Sequence, residues 1–277
     1  MKSLEVILSP KELPALAKRD LRHTTCVVFD VLRATSTFVT ALHHGAKAII
    51  PVSEIAEAMA IRQKQPDVLL GGERDGVKIR AAQTGGVDFD LGNSPREYTP
   101  EKVRGRTIVS TTTNGTRALR ACAGAQTVLA ASFLNLTATA RTSQQLQTTS
   151  LMLVCAGTRE NIAAEDVLAA GALAELLIRW GETPGGPKGE QNPQHSGSRG
   201  RSPHQNRIYE FSDSTKTALD AWRKAKPNLF AAAAEAENAR RLLAIPELRD
   251  DIAFCLQPDV FDLVAILGRD GAIRVLI

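Results

Sequence analysis

Residues 26–37 read Cys26-Val27-Val28-Phe29-Asp30-Val31-Leu32-Arg33-Ala34-Thr35-Ser36-Thr37, and the two halves of this stretch differ in kind. The first is apolar save for one acid and rich in β-branched side chains, which predicts a buried strand ending at Asp30. In the second, Thr35, Ser36 and Thr37 are good N-capping types, apolar residues recur behind them, and Gly45 stands where a helix C-cap belongs. Strand, polar turn and helix follow one another.

The same order recurs outward from it. Residues 48–53 predict a strand, 54–65 a helix, 67–72 a strand, and 107–125 a strand, a polar turn and a helix. Residues 128–132 and 150–157 add two apolar strands, and 163–180 a long helix with acids in its first turn, as the helix dipole prefers. Such alternation predicts an α/β fold with a layered sheet. Shifting the chain by 79 positions, the difference between Thr37 and Thr116, also sets Gly124 on Gly45 and Ser132 on Ser53. This weak echo fits either duplication or the physical likeness of supersecondary units.

Residues 181–206 are rich in Gly, Pro, Ser and Gln and nearly free of apolar side chains, so they predict a flexible low-complexity insertion in one domain spanning 1–277. Beyond it, 208–223 and 229–243 predict helices, the second ending before Pro246, and 251–256 and 261–267 predict strands.

Composition removes several function classes. The net charge of +4 is spread without basic runs interleaved with aromatics, which argues against nucleic acid as a partner. No stretch reaches the ~20 apolar residues of a membrane span and no signal peptide opens the chain, so a cytoplasmic protein without membrane attachment is expected. Cys26, Cys122, Cys155 and Cys255 form no Cys-x-x-Cys pair and are expected to be structural thiols. The five histidines show no metal-binding or catalytic spacing, and neither a Walker A nor a dinucleotide fingerprint occurs. Periodicity leaves a homo-oligomer open, because apolar helices can cover a sheet or a neighbouring subunit.

Four segments can carry chemistry. Asp30 at a strand end, with Arg33 and the hydroxyls of Thr35, Ser36 and Thr37, sets a metal-binding type beside phosphate-binding types at an edge where α/β sheets bind ligands; an ordinary cap with a surface ion pair is the plain alternative. Thr111-Thr112-Thr113-Asn114-Gly115-Thr116 offers hydroxyls and close backbone approach to an oxyanion, or a simple turn. Glu73 and Arg74 stand after a strand, and Asn93 and Ser94 in a further turn, in settings where charged and polar residues are common anyway. Glu165 and Asp166 open the long helix, where acids are stabilising with or without a metal.

Taken in order, VVFDVLRATST, LLGGERDGVKI, FDLGNSP, TTTNGT, SFLN, CAGT and EDVLAAGA resemble the 2-phosphosulfolactate phosphatase family from about Leu4 to Val264. The resemblance implies a three-layer α/β/α fold with a mixed, largely parallel sheet, and Mg2+-dependent hydrolysis of 2-phospho-3-sulfolactate, a small anionic substrate of coenzyme M synthesis. On that basis Asp30, with Glu73, Glu165 or Asp166, is expected to hold magnesium. Arg33, Thr112, Thr113, Asn114, Gly115 and Thr116 would face the phosphoryl group, and Arg74 and Lys78 the remaining acidic groups. Attack by water and a phospho-aspartyl intermediate on Asp30 both stay open. Asn238-Ala239-Arg240 departs from the His-Gly-Arg type of sequence expected there. Two rivals remain: a phosphatase for another small phosphorylated carboxylic acid, and a non-catalytic anion-binding protein.

Overall fold

Alternation inside single strands explains the layering. In the computed structural model, which describes residues 2–182 and 209–276, Val27 and Phe29 face one apolar cluster while Cys26 and Val28 of the same strand face another. A sheet apolar on both faces must be covered on both, which makes three layers. On the first face Leu173 and Leu177 of helix Ala164–Glu182 and Ala218 of helix Asp213–Ala225 pack over the sheet. On the second, Phe38 and Leu42 of helix Ala34–His43 and Leu119 of helix Gly115–Ala121 do so.

The sheet contains β1 (Lys2–Ile7), β2 (Thr24–Phe29), β3 (Ala48–Val52), β4 (Leu69–Arg74), β5 (Val77–Lys78), β6 (Thr107–Thr111), β7 (Thr127–Ala131), β8 (Ser150–Cys155), β9 (Tyr209–Phe211), β10 (Ala265–Leu267) and β11 (Ile273–Val275). Their order is β5-β4-β6-β3-β11-β10-β7-β2-β8-β1-β9. Strands β4, β6 and β3 are mutually parallel, as are β7, β2, β8, β1 and β9. Between these blocks lie three antiparallel steps, β3 to β11, β11 to β10 and β10 to β7, so the two blocks run in opposite senses. The connection from β2 to β3 crosses from one block to the other, and that from β6 to β7 crosses back.

The mixed, largely parallel three-layer sheet agrees with the expectation, while several elements differ from it. Residues 251–256 form not a strand but part of helix Arg249–Cys255, in which Asp251, Ile252 and Cys255 are buried at helical spacing. Of 261–267 only Ala265–Leu267 is strand, because the backbone before it is bonded to the loop after β7, with the Phe261 amide donating to the Leu134 carbonyl. The expected helix over 229–243 breaks at Ala236, whose extended backbone separates Leu229–Ala234 from Glu237–Leu243. Strand β9 occupies the start of the expected helix at 208–223, and Ser212 then caps helix Asp213–Ala225. Glu73 and Arg74 belong to β4 instead of following it. The proposed insertion at 181–206 lies, apart from the end of helix Ala164–Glu182, outside the described residues. All four cysteines are buried and free. Among the described residues no helix is long and apolar enough to cross a membrane.

One contact sets how closely the outer helices pack. A Cβ on Gly171 would lie 2.1 Å from the Ala218 carbonyl oxygen and 2.7 Å from Trp222 Cβ, so helices Ala164–Glu182 and Asp213–Ala225 touch backbone to side there. Valine gains only a few tenths of a kcal/mol in helix propensity over glycine, whereas overpacking against immovable backbone costs about 2–3 kcal/mol. Gly171→Val is therefore expected to lower thermal stability, and a melting curve unchanged from that of the native protein would refute the close packing.

Candidate active site

Asp30 follows β2 directly and accepts the first amide of the next helix. Its Oδ1 accepts the Ala34 amide at 3.1 Å, and its carbonyl accepts both the Thr35 amide and the Thr35 hydroxyl. The hydroxyls expected to hold phosphate are thereby spent locally. Ser36 donates to the Val31 carbonyl, Thr37 to the Asn93 carbonyl and Thr116 to the Thr112 carbonyl, and all of these side chains are buried. They shape the loops instead of facing a ligand.

An open cleft of about 600 Å³, its mouth included, lies beyond the ends of β2, β4 and β6. Asp30, Arg33, Glu73, Asn93, Thr112, Thr113 and Asn114 line it, and so do Asp75, Arg159, Asn238 and Arg241. Two buried lining atoms, Thr112 Oγ1 and Asn93 Oδ1, have no partner among the described residues. Unpaired buried polar atoms are costly, and a cleft that keeps them is suited to a polar ligand.

Arg33 is a buried cation with a fixed orientation. Its guanidinium donates to Asp251 Oδ2 at 2.8 Å and to the Gly76 carbonyl, using two of five N–H donors, and the Leu32–Arg33 peptide is cis. Asp251 is held in turn by the Ser94 hydroxyl at 2.7 Å. Ser94 thus acts from behind the cleft, through Asp251.

Glu73 is a clamp. Its Oε1 accepts both the amide and the hydroxyl of Thr113 at 3.0 Å, and its Oε2 accepts the Gly76 amide at 2.7 Å. These bonds tie the 112–114 turn to the hairpin between β4 and β5. That hairpin turns through Asp75 and Gly76, both at positive φ, the two-residue geometry that Asp-Gly favours. Gly115 closes the other side: a Cβ there would lie 2.8 Å from Asp30 Oδ2 and 2.8 Å from Ala34 Cβ.

Asp30 on the cleft wall and Glu165 and Asp166 form a buried acidic group that is in ion-pair contact with no cation among the described residues. Burial pushes the Asp30 carboxyl up to about 7, against the pull of the Ala34 amide, with the charges of Glu73 and Glu165 adding to the rise. Burial likewise raises Glu165, and it raises Asp166 together with the charges of Glu165 and Asp30. Both Asp166 oxygens are engaged, by the Val31 and Gly157 amides, whereas Glu165 Oε2 is buried without a partner among the described residues and its Oε1 accepts Asn238 Nδ2 at 3.0 Å. No three His, Cys, Asp or Glu side chains among the described residues form a ready metal cage. One or two carboxylates with a free oxygen, beside room for water and substrate, nevertheless suit a hard cation that keeps most of its shell outside the protein.

Arg74 and Lys78 do not line the cleft. Arg74 donates to Ser53 and Thr111, and Lys78 to the Asp90 carbonyl. Arg159, Arg241, Asp75 and Asp251 enter the site without having been singled out in the sequence. The Asp75-Gly76 pair was readable as a hairpin turn, and Asn238 was marked only as a departure from pattern. Nothing local distinguishes Arg159 and Arg241 from other surface arginines.

The family model described as 2-phosphosulpholactate phosphatase matches residues 9–270. A protein of Caldanaerobacter subterraneus subsp. tengcongensis named "Probable 2-phosphosulfolactate phosphatase" is 37% identical over 258 residues, 92% of each chain. A protein of the same name from Thermotoga petrophila is 36% identical over 88% of each chain, and one from Clostridium novyi 30% identical over 94% of this chain and 95% of its own. Matches of this extent, over a chain whose cleft gathers Asp30, Arg33 and the 112–114 turn, place the protein in the 2-phosphosulfolactate phosphatase family.

Proposed function

We propose that the protein hydrolyses 2-phospho-3-sulfolactate to 3-sulfolactate and inorganic phosphate with magnesium, in the cytoplasm, as a step of coenzyme M synthesis. Family membership makes it a phosphoric monoester hydrolase. The observation that carries the finer reading is the convergence, in one cleft, of a buried carboxyl at Asp30, a buried guanidinium at Arg33 and the unpartnered Thr112 hydroxyl.

In this reading the phosphoryl group enters the buried end. The free N–H donors of Arg33 and the Thr112 hydroxyl meet its oxygens, where most of the work of phosphoryl transfer is neutralising charge. Asp251 keeps Arg33 aimed, and Glu73 keeps the 112–114 turn in place, so little reorganisation is needed when substrate arrives. Asp30, at the buried end of the cleft, would orient the attacking water beside the cation. Asp30 and Glu165 would hold the magnesium, which when bound supplies Lewis-acid stabilisation of the phosphoryl charge.

The test is phosphate release by purified protein from 2-phosphosulfolactate, 2-phospholactate, 3-phosphoglycerate and an aryl phosphate, with magnesium and with chelator. Release that is highest on phosphosulfolactate and lost in chelator is expected. Preference for another phosphorylated acid would change the substrate and the pathway. Undiminished release in chelator would rule out the metal.

A further inference from the structure

Two arginines at the mouth of the cleft share one carboxylate. Arg159 reaches Asp75 Oδ1 at 3.2 Å and Arg241 reaches the same oxygen at 3.8 Å. They come from separate elements, Arg159 from the tight turn inside the Thr158–Asn161 bridge and Arg241 from helix Glu237–Leu243. Asp75 and Arg159 both stand at positive φ, so each side chain projects from a narrow turn. The Arg159 amide is further fixed by Asn114 Oδ1 at 3.0 Å. All three charged side chains line the same cleft as Asp30 and Arg33, but whereas Asp30 and Arg33 are buried, Asp75 is 80% exposed and Arg159 59%.

The rim therefore carries two positive charges against one negative. Guanidinium groups pair well with planar or tetrahedral oxyanions and can bind them through two parallel hydrogen bonds. An exposed ion pair such as Arg159–Asp75 contributes little stability, so another anion can replace the carboxylate at small cost. Arg74 and Lys78, the other cations near these strands, are turned away from the cleft. A ligand whose phosphoryl group sits among the buried residues would carry a further acidic group to this rim.

We propose that Arg159 and Arg241 are the specificity-determining residues for the acidic tail of the substrate, a carboxylate or sulfonate, and that Asp75 is its internal stand-in, displaced when the tail binds. This inference deepens the phosphatase reading and rests on it. Removing Asp75 should then improve recognition of acid-bearing esters, while removing the arginines should impair it.

The experiment compares kcat and KM for three esters: 2-phospholactate, the phosphate ester of 2-hydroxypropane-1-sulfonate, and isopropyl phosphate, which has the same skeleton without an acidic tail. In Arg159→Gln/Arg241→Gln the preference for acid-bearing over neutral ester is expected to fall about tenfold to a hundredfold, the loss of one or two charge-assisted contacts, chiefly through KM. In Asp75→Asn, where asparagine tolerates the left-handed turn, the same preference is expected to rise several-fold, a gain that misfolding cannot mimic. A larger change for the carboxylate ester or for the sulfonate ester identifies which group the rim reads. A preference that stays constant in both variants, or that falls in Asp75→Asn, overturns the proposal.

Calorimetric titration with 3-sulfolactate separates this inference from the phosphatase reading. Should the native protein release phosphate from neither 2-phosphosulfolactate nor any of these esters, the phosphatase reading falls, and sulfolactate affinity judges the rim alone. Weaker binding in the arginine variant and tighter binding in Asp75→Asn would uphold the inference. Equal binding in all three proteins, or none, would end it.

Discussion

Asp30→Asn is expected to lower phosphate release by about a thousandfold or more, the scale on which loss of a central charged group in a pre-arranged site is felt, while the protein remains folded. Asparagine keeps the volume and can keep the contact with the Ala34 amide, but it can neither accept a proton nor offer a charged oxygen to a metal. Folding should not suffer, because burial makes the ionised Asp30 carboxyl unfavourable. Its pKa rises from the ordinary 3.8 to about 7, so the folded state holds the proton longer than the unfolded chain. The stability tied to that proton is present at low pH and lost as pH rises through the interval between the two values. In chelator, the native protein should therefore lose stability between about pH 4 and pH 7 more steeply than Asp30→Asn. The slope shrinks without vanishing, since Glu165 and Asp166 are raised as well. Denaturant titrations at pH 5 and pH 8 beside the activity assay check both parts; retained turnover in a folded Asp30→Asn protein would remove Asp30 from the chemistry.

Asp251→Ala is expected to destabilise the protein by about 3–5 kcal/mol, because it leaves the Arg33 cation buried and unpaired. Arg33 and Asp251 are 3% and 0% exposed, which separates this pair from the many surface pairs whose removal is nearly silent. For a chain of this length the melting temperature should drop by roughly 6–15 °C. Replacing both partners with apolar residues, as in Arg33→Met/Asp251→Leu, should recover much of that stability without recovering activity. Differential scanning calorimetry of the three variants is the measurement. A melting temperature for Asp251→Ala within a degree of native would show that Arg33 is satisfied by other means.

The parts of this protein that could be read from sequence are those determined locally. Asp30 was legible because a lone acid ending a β-branched run is costly unless it has work to do, and the 112–114 turn was legible because six polar residues follow an apolar strand. The hydroxyls of Thr35, Ser36 and Thr37 misled for the same reason: their chemistry suits phosphate, but Thr35 and Ser36 donate to the carbonyls of Asp30 and Val31 close by, and Thr37 to that of Asn93. Residues 251–256 were read as a strand because a short apolar run carries too few residues to fix its period. What decides it is Asp251 meeting Arg33 across 218 positions. Arg159 and Arg241 could not have been preferred over Arg74, since only the tertiary arrangement turns one guanidinium into a cleft and another toward Thr111.

The opposed running directions of the two strand blocks bear on how firmly the cleft is held. Their only sheet contact among the described residues is the β10–β11 hairpin, whose outer edges offer two residue pairs to β7 and one to β3. Such a seam would flex if hydrogen bonds alone held it. The chain, however, laces across it twice, through the helices that follow β2 and β6, and the first turns of both meet at Asp30 and Gly115. The crossing point lies at the floor of the cleft, so the contact that braces the seam is the same one that holds Asp30 beside the 112–114 turn.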